Sequence, residues 1–462
     1  MTDISTKIFS KIPPLAPHPP ILYNIYQLAS RFIPLRQVII RESIVKMINK
    51  LLDGITKYEG TKFMKLAGEG MDDITPVSDV KSLEVPAIYV HVPFCHKLCP
   101  FCCFNRYLFK EDLARAYFLA LKTELDMYAE KGFNFSDVYI GGGTPTILMD
   151  ELQSLIAHLK KLYDIKRVSV ETTPPAMTPE NIDILKSCGV NRVSIGVQSF
   201  DDKVLEAMGR TIATGDEARE ALVRSQGQFD TVNCDFIFNF PYQPIETFMS
   251  DVKTFKELKI DQATFYPLMP SPRKKSAMER KFAKVDFSRE PQFYKILLDE
   301  LKNDGYSVST AWCFSRGNHM IDEYIVDSPD YAGAGAGSVG LINGNFYVNA
   351  FAVENYIKKI DNDQFPIIRY RNLSEREHIY YYFLTKLFGM QVNKAQFKKD
   401  FNKNINVRLF KELAAMKLYG LLTEDKENVY VTDKGMFSVS IMMRNFFASL
   451  NTLREYCINN RL

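Results

Sequence analysis

The chain has 462 residues, with 58 Lys plus Arg against 55 Asp plus Glu and a formal net charge of +3. A balance so close to neutral makes no electrostatic case for nucleic acid or an anionic membrane as partner. Its 8 cysteines are too sparse for a disulfide scaffold, and no uninterrupted apolar run reaches the ~20 residues of a membrane span.

At ~150 residues per domain, this length allows two to four domains. The opening Met-Thr-Asp-Ile-Ser-Thr-Lys lacks the charged start and apolar core of a signal peptide, so a reducing cytoplasm is the expected setting. The run Pro13-Pro14-Leu15-Ala16-Pro17-His18-Pro19-Pro20 cannot be regular helix. Residues 22–52 then alternate apolar and basic side chains, with Ile40, Ile44, Met47, Ile48 and Leu51 at helical spacing. That pattern predicts a helix packed on the following domain; the sharper alternative is a surface making peripheral contact with a lipid or a partner. Residues 1–84 thus form an N-terminal extension, proline-rich and then helical.

From Ala87 to about residue 360 strand-like runs alternate with amphipathic helices. The strands are expected at 88–92, 138–140, 167–171, 192–197, 232–238 and 262–267. Between the first two lies a helix over 112–131, with Ala114, Tyr117, Phe118, Leu121, Leu125 and Tyr128 on one face. Such alternation predicts a parallel sheet covered by helices, with active residues gathered at the C-terminal ends of the strands.

The first strand runs into Tyr89-Val-His-Val-Pro-Phe-Cys95-His-Lys-Leu-Cys99-Pro-Phe-Cys102. Gaps of three and two residues let one short loop wrap three thiolates around three corners of a cubane iron–sulfur cluster. No second Cys or His couple follows at zinc-knuckle spacing. A fourth iron would be left without a cysteine, open to a small molecule. Past the first helix, Gly141-Gly142-Gly143-Thr144-Pro145-Thr146 follows a strand, where missing side chains let backbone approach a ligand. Glu171 closes the next strand, and Gln198 follows Arg192-Val-Ser-Ile-Gly-Val with an amide that both donates and accepts.

The cysteine spacing matches the signature of the radical S-adenosylmethionine (radical SAM) superfamily. Together with the glycine run, it resembles the oxygen-independent coproporphyrinogen III oxidase (HemN-like) family, from about Val85 to the C-terminus. The resemblance implies an α/β fold, a partial (β/α)6-type barrel over residues 85–365 and a mostly helical, winged-helix-like domain over 366–462. It implies that Cys95, Cys99 and Cys102 are the catalytic and metal-ligating residues of a [4Fe-4S] cluster. That cluster would cleave S-adenosylmethionine reductively to a 5′-deoxyadenosyl radical. Positions matching the family's cofactor contacts are Tyr89, Phe101, Gly141, Gly142, Gly143, Thr144, Glu171, Gln198, Arg210 for the carboxylate, and Asp235 and Ile237 for ribose and adenine. The partners implied are a small-molecule substrate (a tetrapyrrole, a lipid or another natural product) and an electron donor such as flavodoxin or ferredoxin, with no nucleic acid.

Three branches of the resemblance stay open. True coproporphyrinogen oxidases, which decarboxylate a tetrapyrrole oxidatively, carry a fourth cysteine two residues after the third. Here Cys103 is adjacent to Cys102, so it is expected to be a buried thiol and no ligand. Heme chaperones carry a His-Asn pair, where this chain reads Asn318-His319. Methyltransferases or cyclopropanases of this type bind two S-adenosylmethionine molecules, and Tyr331-Ala-Gly333-Ala-Gly335-Ala-Gly337-Ser338 is either a loop for the second or a tight turn before a hairpin. Beyond it, helices are expected at 375–387, 394–401 and 407–417, strands at 420–423 and 428–432, and a last helix from Asp433.

Overall fold

The structure, a computed structural model, describes residues 37–66, 85–281, 283–317 and 323–462. The proline run at 13–20, the start of the expected N-terminal helix and the Asn318-His319 pair lie outside the described residues. The chain divides into two units, Met1–Ile48 and Asn49–Leu462, and the first described helix is Gln37–Phe63. The larger unit carries every described strand.

Its strands are β1 (Ala87–Val92), β2 (Phe94–Cys95), β3 (Tyr107–Leu108), β4 (Asp137–Gly142), β5 (Arg167–Thr172), β6 (Arg192–Gln198), β7 (Thr231–Phe238) and β8 (Gln262–Pro267), followed by β9 (Ser307–Val308), β10 (Cys313–Ser315), β11 (Tyr331–Ala334), β12 (Val339–Ile342), β13 (Asn345–Asn349) and β14 (Ile367–Asn372). All of these but β2 and β3 join one sheet in the order β14-β13-β12-β11-β1-β4-β5-β6-β7-β8-β10-β9. Every neighbour pair from β11 through β1 to β8 is parallel. Antiparallel strands extend both ends, and the order does not close, which makes the barrel partial. All six residues of β1 are buried, as in a strand covered on both faces.

The helix Glu111–Glu130 buries the expected apolar face and, in its midst, Glu124. This carboxylate accepts from Gly335 N (2.7 Å), Tyr356 OH (2.6 Å) and Asn349 Nδ2 (2.8 Å). It thereby ties the helix to the sheet edge. Burial pushes its pKa up to about 7 against the donors that lower it. A pKa raised on folding means stability that is complete below the unfolded value near 4.5 and is lost as pH rises through about 7. At roughly 1.4 kcal/mol per unit, the effect is of order 3 kcal/mol. Urea unfolding between pH 5 and 8 should therefore show a loss with rising pH that Glu124→Gln flattens; identical pH slopes in both proteins would contradict it.

The glycine-rich run is not a loop. It forms β11 and a tight turn into β12 and β13, the hairpin alternative. A Cβ on Gly333 would lie 2.2 Å from Val339 O, and one on Gly335 (φ +94°) 2.5 Å from His91 O. Neighbouring backbone thus fills the space beside both glycines.

The C-terminal part follows expectation with two differences. The helix Glu375–Phe388 leads to β15 (Gln391–Asn393), a strand not foreseen, which pairs with β17 (Asn428–Val431) beside β16 (Leu422–Glu424). The helix expected over 407–417 breaks at Leu409 into Ile405–Arg408 and Phe410–Leu418. The last helix, Asp433–Asn459, is buried along most of its length. Residues 49–63 lie against it: Ser438 donates to Asn49 Oδ1 (2.7 Å) and Asn445 Nδ2 to Thr56 Oγ1 (2.7 Å). Phe63 stacks on Tyr381 with centroids 5.7 Å apart. Residues 49–63 thus pack on the last helix within the larger unit.

Candidate functional site

The cysteine loop is a closed loop. β2 and β3 pair in parallel, Phe94 with Tyr107 and Cys95 with Leu108, so residues 96–106 leave and return at one point. Inside it Cys102 N donates to Cys99 O (3.3 Å), and Arg106 Nη2 donates to the carbonyls of Cys99 and Cys102 at 3.0 Å each. Phe101 pins the loop outward to the apolar cluster of Val204, Met208, Phe240, Leu268, Met278 and Val285. Below it, Asn105 Nδ2 donates to Ala336 O (3.0 Å) and Phe351 O (2.8 Å).

Tyr89 and His91 support this loop from β1. Asn105 O only accepts, so His91 donates to it through Nε2 (2.9 Å) and receives the Tyr89 hydroxyl on Nδ1 (2.9 Å). Burial lowers the His91 pKa to about 4, which keeps the ring neutral and that tautomer in place. Tyr89 also stacks on Tyr324, centroids 5.6 Å apart.

The strand ends deliver the remaining groups. In the glycine run Gly142 N donates to Glu171 Oε2 (2.9 Å), Gly143 N to Val92 O (2.7 Å) and Thr144 N to Phe94 O (2.8 Å). The amides are thus engaged within the protein, so this turn offers a ligand carbonyl acceptors, which suit an ammonium group. Glu171 also accepts from Tyr139 OH (3.0 Å). Gln198 lies where the β6–β7 register shifts, with φ +76°. A bulge of this kind re-aims a side chain at a strand end, and a non-glycine residue held there stores strain of order 1–3 kcal/mol.

Arg210 reaches the loop because Gly209, with φ +68°, ends the helix Asp202–Met208 against Pro100; a Cβ there would lie 2.9 Å from the proline ring. The Arg210 guanidinium donates to Gly196 O and lies 3.7 Å from Cys99 Sγ. Thr144 Oγ1 is likewise 3.7 Å from Cys95 Sγ. Asp235 accepts from Ser194 Oγ (2.8 Å) and Asn233 Nδ2 (2.7 Å), and Ile237 packs on the apolar cluster beside Phe101.

One cavity of about 590 Å³ gathers these residues. Its walls include Cys95, Cys99, Cys102, Tyr89, Phe101, Gly142, Gly143, Thr144, Glu171, Gln198, Arg210, Asp235 and Ile237. Of the expected positions only Gly141 is absent from the wall, because the Glu171 carboxylate takes the space a Cβ would fill, 2.7 Å from Cδ. Cys103 also lines the cavity, half-buried rather than buried, its thiol directed to Phe101 O (3.7 Å) and Met269 O (3.8 Å) and its pKa raised by burial. Residues without any sequence signal complete the wall, among them Tyr139, Trp312 and Tyr324, and Phe447, Asn451 and Arg454 from the last helix.

The donor set suits a cluster. Among the described residues no three His, Cys, Asp or Glu side chains converge on a single-ion site, whereas a cubane takes each thiolate on a separate iron. Burial pushes the Cys95 thiol up to about 11, so bound metal must supply the drive to deprotonate it.

A family model described as the radical SAM superfamily matches residues 89–255. Those residues form a radical SAM domain. The chain around it resembles the HemN-like proteins. It is 28% identical to the heme chaperone HemW of Bacillus subtilis (strain 168), over 75% of this chain and 95% of that protein. It is 27% identical to the anaerobic coproporphyrinogen III oxidase 1 of Cereibacter sphaeroides, over 70% of this chain and 74% of the other. The solved structure of the Escherichia coli coproporphyrinogen III oxidase (HemN), a radical SAM enzyme, shares the fold at a TM-score of 0.66. That match has 24% identity over 78% of this chain and 90% of that one. A radical SAM domain brings that superfamily's two cofactors, a [4Fe-4S] cluster and S-adenosylmethionine, and the residues lining the cavity fit both. No helix among the described residues is long and apolar enough to cross a membrane.

Proposed function

We propose that this radical SAM protein is an enzyme that oxidises a tetrapyrrole, with Cys95, Cys99 and Cys102 as cluster ligands. The observation that carries the reading is the convergence of three thiols, Glu171, Gln198 and Arg210 on one cavity at the C-terminal ends of the parallel strands. When bound, the two cofactors supply one-electron cleavage of a sulfonium and a carbon radical able to abstract hydrogen. The chain's part is to hold and shield. Glu171, already oriented by Gly142 N–H and Tyr139 OH, accepts from the cofactor's amino or ribose groups. Arg210 takes its carboxylate, and Asp235 and Ile237 flank ribose and adenine. The aromatic wall excludes water from the reacting carbon.

The substrate class rests on the relatives, whose names hold heme in one case and coproporphyrinogen III in the other; both are tetrapyrroles. A reducing cytoplasm with flavodoxin or ferredoxin as electron donor suits eight free thiols. The second reading, heme carriage without turnover, is favoured by coverage of 95% of the heme chaperone's length. Anaerobic incubation with coproporphyrinogen III or heme, followed by mass analysis, separates the two. Loss of carboxyl groups with matching 5′-deoxyadenosine supports oxidation; stoichiometric heme binding with no converted product overturns it in favour of carriage.

Glu171→Ala should weaken S-adenosylmethionine binding by about 10- to 100-fold, the worth of a charge-assisted hydrogen bond. Anaerobic calorimetry of the reconstituted protein measures this directly. Unchanged affinity would remove Glu171 from the cofactor site.

A further inference from the structure

We propose that Arg454, on the last helix, is a substrate-binding residue that anchors a carboxylate of the substrate. This rests on the tetrapyrrole reading above and deepens it, since such rings carry acidic side chains. The inference comes from a contrast between two buried arginines on one helix. Arg444 is met by two carboxylates, those of Glu290 and Asp53. Arg454 is 9% exposed, lines the cavity that holds the cluster loop, and makes no ion pair among the described residues. Its one side-chain hydrogen bond among them is to Asn451 Oδ1 at 3.0 Å, and its guanidinium stands 4.8 Å from the centroid of the Phe104 ring.

A guanidinium nine-tenths buried at a cavity wall and facing no anion gains from a carboxylate that enters the cavity. The group is also held ready. Asn451 is itself clamped, its Nδ2 donating to Met269 O at 2.8 Å, so little ordering remains for binding to impose. The other carboxylates on this wall have partners of their own: Glu171 with Gly142 and Tyr139, Asp235 with Ser194 and Asn233, and Glu323 with Tyr266. The cavity therefore keeps a fixed cation beside aromatic walls formed by Trp312, Tyr324 and Phe447. A tetrapyrrole bearing carboxylates matches that surface, with Arg210 left to the cofactor.

The test uses the reconstituted full chain under anaerobic conditions. Coproporphyrin III and its uncharged tetramethyl ester are titrated by fluorescence, and S-adenosylmethionine by calorimetry. The wild-type protein should bind the acid in preference to the ester. Arg454→Gln should weaken the acid by about 10- to 100-fold, leave the ester within about twofold, and leave S-adenosylmethionine affinity unchanged; Arg454→Lys, which keeps the charge, should recover part of the loss. Equal acid binding in wild type and Arg454→Gln overturns the anchor, as does an equal loss for acid and ester, which would mean a structural role. A loss confined to S-adenosylmethionine would move Arg454 to the cofactor and overturn it too. Binding of neither porphyrin by the wild type overturns the tetrapyrrole reading itself and the anchor with it. The wild-type preference of acid over ester stands as a readout even where a variant does not fold.

Discussion

Replacement of Cys99 by Ala is expected to abolish cleavage of S-adenosylmethionine. Cys99 is the buried middle member of the proposed tripod, 6% exposed, and its thiol is approached by Arg210 at 3.7 Å. Its carbonyl receives both Cys102 N–H and Arg106. A change to Ala removes a ligand while leaving these backbone contacts intact, so the loop keeps its shape and loses one corner of the cluster. A cluster held by two thiolates has two open irons and falls apart in the presence of solvent or chelator. The loss of 5′-deoxyadenosine should far exceed the roughly 10- to 100-fold typical of disturbing an outer-shell partner of a metal ligand. Iron and sulfide content and the absorbance of the reconstituted protein give the cause, and product analysis the effect. Cys103→Ala is the matched control, one residue past the tripod, with its thiol directed to the carbonyls of Phe101 and Met269. It should retain iron. Full activity in Cys99→Ala, or iron loss in Cys103→Ala, would each overturn the ligand assignment.

The sequence showed the strand ends well and the walls between them poorly, for a physical reason. β1, β4, β5, β6, β7 and β8 are buried parallel strands, and their apolar runs separated by amphipathic helices are a pattern that reads directly. The groups proposed to touch a cofactor sit at their ends, so a motif and a strand together pointed to Glu171, Gln198 and Asp235. What could not be read is how Gln198 is aimed, because a register shift between two strands leaves no mark in either one alone. β11 was obscured by the glycines in it and just after it, where Val339 O approaches Gly333 and His91 O approaches Gly335; glycine as a packing device and glycine as a loop signal look alike in sequence. The wall formed by Phe447, Asn451 and Arg454 was invisible for another reason. It is set by how the last helix docks, a long-range event that no local spacing encodes.

That docking gives the second large effect. Arg444→Met should destabilise the protein by about 3–5 kcal/mol, the usual consequence of removing one member of a buried ion pair. Arg444 donates through Nη1 to Glu290, and through Nη2 to Asp53 Oδ1 at 2.5 Å, while its guanidinium lies 4.7 Å from the Phe287 ring centroid. The side chain of Glu290 is only 3% exposed, and its Oε1 has no hydrogen-bond partner among the described residues. Burial raises its pKa even with Arg444 present. Without the arginine that rise grows, so the variant is relatively most stable below the unfolded value near 4.5 and loses ground as pH climbs through the folded-state value. The gap to wild type in urea unfolding should therefore be widest near pH 8 and narrow toward pH 5. Glu290→Leu added to Arg444→Met removes the stranded carboxylate and should restore much of the stability, since apolar replacement of a buried pair is often neutral or better. Asp53, more exposed at 28%, keeps Lys57 at 2.7 Å as a partner and does not inherit the penalty. A pH-independent gap, or a double variant no more stable than the single one, would mean that the pair does not join these elements as described.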